Sequence, residues 1–233
     1  MTLKSTAQRP LNWPDDPEDV TTADIDFEAL AHVLANTCRR GGCCRHYHSV
    51  AAHAVVVSEE IETLDGLADE DRRTLALHAL LANAPSAWLR GRLPDSQRAA
   101  ERAGKLATGI EVAVREAAGL DPVLDEDHGE LLRFVTRMAA AAERRDLLDG
   151  NAASGIAFPP LKRRIRPIPP DKAAEAWLAR FRALAGSDEE RQRRIAAVAR
   201  PVGSDPGSRE PVPPARGPGQ APSELGGQVA GEG

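Results

Sequence analysis

Between Phe27 and Leu184 the apolar residues fall at three- and four-residue spacing, one capped segment after another. That periodicity is the signature of amphipathic helices packed around a shared core. Leu30, Val33 and Leu34 share a face of a segment running from Phe27 to Arg39, with Asp26 as N-cap. Ser49 caps a second segment carrying Val50, Ala54, Val57 and Ile61. Asp69 is read as the cap of a third, with Leu75, Leu77, Leu80 and Leu81, and Pro85 interrupts it before a short turn containing Trp88 and Leu89. Two long helices follow, Asp95 to Ala118 and Asp125 to Leu148, then a loop over 149–170. Asp171 to Leu184 and a charged segment over 187–199 complete the set. Aromatic residues are 3% of the chain while apolar residues are 42%. The interior therefore draws mainly on Ala and Leu, the strongest helix formers, and lacks the aromatic and β-branched runs of strands. The expectation is an all-α bundle of six to seven helices over residues 21–199, after an irregular lead-in over 1–20. Residues 201–233 hold eight Gly and seven Pro. Such a segment buries too little apolar surface to offset its chain entropy, so 200–233 is expected to be a disordered tail.

Charge and cysteine content narrow the function classes. A net charge of −5 argues against general nucleic-acid binding. No stretch of 18 apolar residues occurs, so no membrane partner is expected. Three Cys, two of them adjacent at Cys43 and Cys44, oppose a disulfide framework. The first twenty residues have no apolar signal core. A cytoplasmic location is the expectation.

The most informative stretch runs from Cys38 through Arg39, Arg40, Gly41, Gly42, Cys43, Cys44, Arg45, His46, Tyr47 and His48 to the Ser49 cap and His53. It reads as a helix end, a Gly-Gly reversal with positive φ, a basic loop, and a His one turn inside the next helix. A second patch runs from Leu80 to Pro94, with Ala82, Asn83, Ser86, Trp88, Arg90 and Arg92. A third is Glu143-Arg144-Arg145-Asp146-Leu147, and a fourth joins Pro167-Ile168-Pro169-Pro170 to Ala174 through Phe181.

In this order, across residues 24–184, the four patches resemble the HD-domain phosphohydrolases, in particular the branch related to 5′-deoxynucleotidases. The resemblance implies an HD-type helical domain, a homodimer, and a divalent ion (Mn, Co or Mg) held by a His, an adjacent His-Asp pair and a late Asp. Carried over, the first ligand is His53, the pair falls on Ala82 and Asn83, and the late Asp on Thr136. The Glu that helps activate water in the family is Ser86, and a further family Asp is Arg92. Ala offers no donor, Asn no charge, and Ser no general base near neutral pH. The expectation is a degenerate member, with no cofactor, that binds a nucleotide or other phosphorylated small molecule, or a protein partner. Arg39, Arg45, His53, Trp88 and Arg92 are the candidate ligand-binding residues, and Lys162, Arg163, Arg164 and Arg166 form a second basic run. Two alternatives stay open. One is a working nucleoside 5′-monophosphatase recruiting His78 or Asp127, and the other is a scaffold without a ligand. His53 itself reads either as a residual metal ligand or as a packed, hydrogen-bonded core residue.

Overall fold

Residues 20–89, 97–148 and 158–198 are described by a computed structural model of the chain. Among them lie seven α-helices and no strand longer than an isolated bridge. They are α1 (Phe27–Asn36), α2 (Val50–Glu62), α3 (Asp69–Leu81), α4 (Gln97–Ala117), α5 (Glu126–Leu147), α6 (Pro170–Ala185) and α7 (Asp188–Val198). Short 3₁₀ turns cover Thr22–Asp24, Arg39–Gly42 and Ala84–Ala87. The all-α expectation holds. The expectations for residues 1–19 and for the tail fall outside the described residues, as does Arg92.

The caps explain most helix starts. Asp26 accepts from the backbone N–H groups of Glu28 and Ala29, Ser49 from Ala52, and Asp125 from His128. Each satisfies a donor that the first turn leaves unpaired. Asp69 differs from its expected role. Ala68 occupies the cap position, and Asp69 joins Glu70 and Asp71 inside the first turn, where negative charge suits the helix dipole. Helix α6 starts one residue early because Pro170 serves as a first-turn proline. Helix α1 ends at Asn36, three residues short of the expected Arg39. The chain there is drawn into a bridge between Cys38 and Ser49, with Val50 N–H donating to Thr37 O at 3.0 Å.

Helix α2 is the centre of the assembly and packs against α1, α3, α5 and α6. Its residues Val50 to Val55 are all buried, so it is apolar on nearly every face. Leu30, Leu34, Ile61, Leu75, Leu80, Leu81 and Trp177 fill the space around it and are fully buried. Trp177 and Phe181 on α6 stack at 5.6 Å, and Phe27 of α1 stacks on Phe181 at 4.0 Å. Thus α1 is fixed to α6 by rings and to α2 by aliphatic contact. Because the Ser49 hydroxyl is wholly buried and caps the central helix, Ser49→Ala is expected to cost about 1 kcal/mol. Urea denaturation at pH 7 reads that loss directly.

Candidate functional site

The residues between α1 and α2 form a pinched loop. Arg39 N–H donates to His48 O at 2.8 Å at its neck. Arg40, Gly41 and Gly42 all have positive φ, at 55°, 60° and 83°. The two glycines adopt this region without strain, but Arg40 does so at a cost met by its contacts. The reversal turns the Arg40 side chain back onto the last turns of α5, where Nη2 donates to Ala140 O at 2.8 Å.

The target of this loop is Glu143, which is fully buried. Its Oε2 accepts from Arg40 Nε at 2.9 Å, and its Oε1 accepts from Arg39 Nε at 3.1 Å. His53 Nδ1 lies 2.5 Å and His48 Nε2 3.3 Å from the same Oε1. Burial alone would raise the Glu143 carboxyl, but the hydrogen bonds from His48 and His53 and the Arg39 charge outweigh it and hold it well below the usual carboxylate range. Burial pushes His53 below its ordinary value, with the Arg39 charge adding to that and the Glu143 hydrogen bond opposing it. His53 is therefore neutral, with its Nδ1–H donated to an ionised Glu143. Its Nε2 is a buried lone pair without a hydrogen-bond partner. His53 is thus packed and hydrogen-bonded through Nδ1, with Nε2 not engaged by any protein group.

Two clefts lie beside the network. The first, of about 510 Å³, is lined by Thr37 to Arg40, by Ala82, Asn83 and Ser86, and by Glu111 of α4. The second, of about 540 Å³, is lined by Ala82 and Glu111 again, by Arg115, and by the early α5 residues through Thr136 and Arg137. The substituted positions therefore gather at one place. Asn83 and Ser86 face the first cleft, Thr136 the second, and Ala82 belongs to both. Arg39 lines the first cleft and Arg45 lines neither. Arg45 is anchored to the end of α5, with its N–H on Leu147 O at 2.9 Å and Nη2 on Asp146 O at 3.2 Å. Trp88 packs against the core and lines neither cleft. His53 also lines neither.

Two residues of the second basic run, Arg163 and Arg164, are engaged within the fold. Arg163 pairs with Glu59 at 2.6 Å and Arg164 with Asp146 at 2.8 Å. Both tie the segment before α6 to α2 and α5. Asp146 also accepts from Ile165 N–H at 2.8 Å and from Arg145.

The donor set does not fit a tightly held divalent ion. His53 Nε2 is one nitrogen donor, Asn83 offers at best a neutral amide oxygen, Ala82 nothing, and the Thr136 hydroxyl donates to Leu132 O at 2.8 Å. Among the described residues no three His, Cys, Asp or Glu side chains are gathered as a metal-holding group. His78 is buried in α3 and Asp127 is exposed in the first turn of α5, so neither completes a set with His53. The residue that sequence reasoning missed is Glu143, noted only as part of a motif. Its signal was present: it falls among Leu132, Val135, Ala139 and Ala142 on the buried face of α5, a position where an unpaired carboxylate has no place.

No protein-family model matches the chain. The chain is similar to the uncharacterized protein YfdR of Escherichia coli (strain K12), with 29% identity over 137 residues. That alignment covers 56% of this chain and 65% of YfdR. No helix among the described residues is long and apolar enough to cross a membrane.

Proposed function

We propose that this chain is an HD phosphohydrolase-like protein that binds a phosphorylated small molecule in the first cleft without hydrolysing it. One observation carries the reading. Arg39 and Arg40 line the same cleft as Asn83 and Ser86, and both guanidinium groups are aimed by one buried carboxylate. Arg39 uses only Nε on Glu143, and Arg40 uses Nε and Nη2 on Glu143 and Ala140 O. The remaining N–H donors suit phosphate oxygens, which arginine binds through paired hydrogen bonds. Glu143 neutralises part of the charge yet cannot reach a ligand, because it is fully buried. A pre-oriented pair of arginines loses little side-chain entropy on binding. Among the described residues that line this cleft, the one carboxylate is Glu111 and no histidine is present. Asn83 and Ser86 do not ionise near neutral pH, and Glu111 is paired with Arg115.

Calorimetric titration with ribose 5-phosphate in excess Mg tests the reading. Binding is expected, with no orthophosphate released on prolonged incubation. Ser86→Trp, which fills the first cleft from its 3₁₀ turn, is expected to weaken binding at least tenfold with the melting temperature unchanged. Absence of binding, or steady release of orthophosphate, would contradict the proposal.

A further inference from the structure

Beside the last turn of α5 the surface carries a basic patch that belongs to neither cleft. Arg45, Lys162, Arg164 and Arg166 are exposed, and none of them lines a cleft. Asp146 brings the two chain segments together. Its backbone O accepts from Arg45 Nη2 at 3.2 Å, and its Oδ1 accepts from Arg164 Nη1 at 2.8 Å. Arg145 fixes the same segment through its backbone, donating to Leu161 O at 2.7 Å and to Arg163 O at 2.8 Å. Lys162 and Arg166 sit two residues either side of Arg164, so their Cα atoms lie at most about 7 Å from its own. The opposing charge faces inward. Asp146 is 3% exposed, and residues 158–170 contain no Asp or Glu. Glu59 and Glu60 are taken by Arg163. The outer face is thus positive in a chain whose net charge is −5.

We infer that this patch docks a short Asp- or Glu-rich segment of a partner protein. The inference is independent of the phosphate-binding reading, because the two surfaces share no residue. Guanidinium groups bind side-chain carboxylates through paired, charge-assisted hydrogen bonds, and arginine clusters are a recurring means of reading acidic motifs. Arg164 is 73% exposed and spends Nη1 on Asp146, which aims it without covering it. The backbone is stiffened on both sides, by Pro159 and Pro160 before the cations and by Pro167, Pro169 and Pro170 after them. Proline fixes φ, so little chain entropy is lost when the row is engaged. Length and chemistry favour a peptide over a nucleic acid. Charge is screened over about 8 Å at physiological salt, so a short acidic segment senses the patch alone. A long polyanion would run on over a surface where carboxylates are in excess. Residues 159–170 also offer no aromatic plane on which bases could stack.

The experiment follows the fluorescence anisotropy of a labelled octaglutamate peptide, and of an oligothymidylate of equal charge, titrated with the full chain at low salt. The peptide is expected to bind, more tightly than the oligonucleotide. Joint reversal of Lys162→Glu and Arg166→Glu, both exposed and outside any helix, is expected to weaken peptide binding about tenfold or more with the melting temperature unchanged. Arg182→Glu makes the same kind of change on α6, where the side chain is 65% exposed, and is expected to change binding less than twofold. Three results would each overturn the inference: no binding of the peptide, equal weakening by Arg182→Glu and by the double reversal, or tighter binding of the oligonucleotide. The last would make the patch a nucleic-acid surface. Ribose 5-phosphate binding by the double variant is expected to match the parent, so failure at the patch leaves the cleft reading standing.

Discussion

Replacing Glu143 by Gln is expected to lower the unfolding free energy by about 3 kcal/mol, the low end of the cost of breaking a buried ion pair. For a domain of this size the melting temperature falls by roughly 6–12 °C. The physical reason is the number of donors converging on one carboxylate. Arg39, Arg40, His48 and His53 all point at it, and it has no exposed surface. An amide has one oxygen and two N–H donors, so it sets donor against donor in a closed space. The low end of the range applies because the two arginine side chains keep 21% and 19% of their surface in water and part of their charge relaxes there. Arg39→Met should cost less, since Arg40 and the two imidazoles still hold the carboxylate. The acid side follows from the sign of the shift. The folded carboxyl lies below the unfolded value of 4.5, so its stabilisation is fully present above that pH and is lost as pH falls below it. Urea denaturation of parent and variant at pH 7 checks the magnitude. A loss under 1 kcal/mol would mean that the network does not hold the loop.

The second large effect is at His78, in the interior of α3. Its side chain is 1% exposed and Nδ1 has no hydrogen-bond partner. Burial lowers its pKa from 6.5 to about 4, with Arg115 and His128 acting in the same direction and Asp121 against them. Between those values the unfolded chain takes up a proton that the folded chain refuses, so stability falls as pH drops through the window. The full window amounts to roughly 3 kcal/mol, about two-thirds of it lost by pH 5. His53, also displaced downward, adds a loss of the same sign. His78→Leu removes the His78 contribution. The variant is expected to lie within about 1.5 kcal/mol of the parent at pH 7.5. At pH 5 the difference should have moved in the variant's favour by about 2 kcal/mol. Parallel stability profiles across this range would show that His78 takes up its proton without cost in the fold.

Most of the architecture was legible because capping and periodicity are local. Asp26, Ser49 and Asp125 cap as their sequence neighbours imply, and the positive φ of Gly41 and Gly42 follows from the Gly-Gly pair. The misplaced end of α1 had a non-local cause, the pairing of Thr37 and Cys38 with residues on the far side of the loop. The site divides the same way. Spacing and motif order placed Asn83, Ser86 and Arg39 at what is one cleft. The roles of Arg45, Arg163 and Arg164 were not legible, because a sequence shows a positive charge but not the carbonyl or carboxylate that occupies it. Glu143 lies 104 residues from Arg39 and 90 from His53. Only the fold makes it the centre of the network.

The central claim is binding without hydrolysis, and one ³¹P NMR series reads both halves. Ribose 5-phosphate is mixed with an equal amount of protein and excess Mg, and spectra are recorded over a day. The account predicts a shifted or broadened phosphate resonance that returns to its free position with Ser86→Trp, and no orthophosphate signal. An unshifted resonance would contradict the binding half, and a growing orthophosphate resonance that depends on the protein would contradict the other.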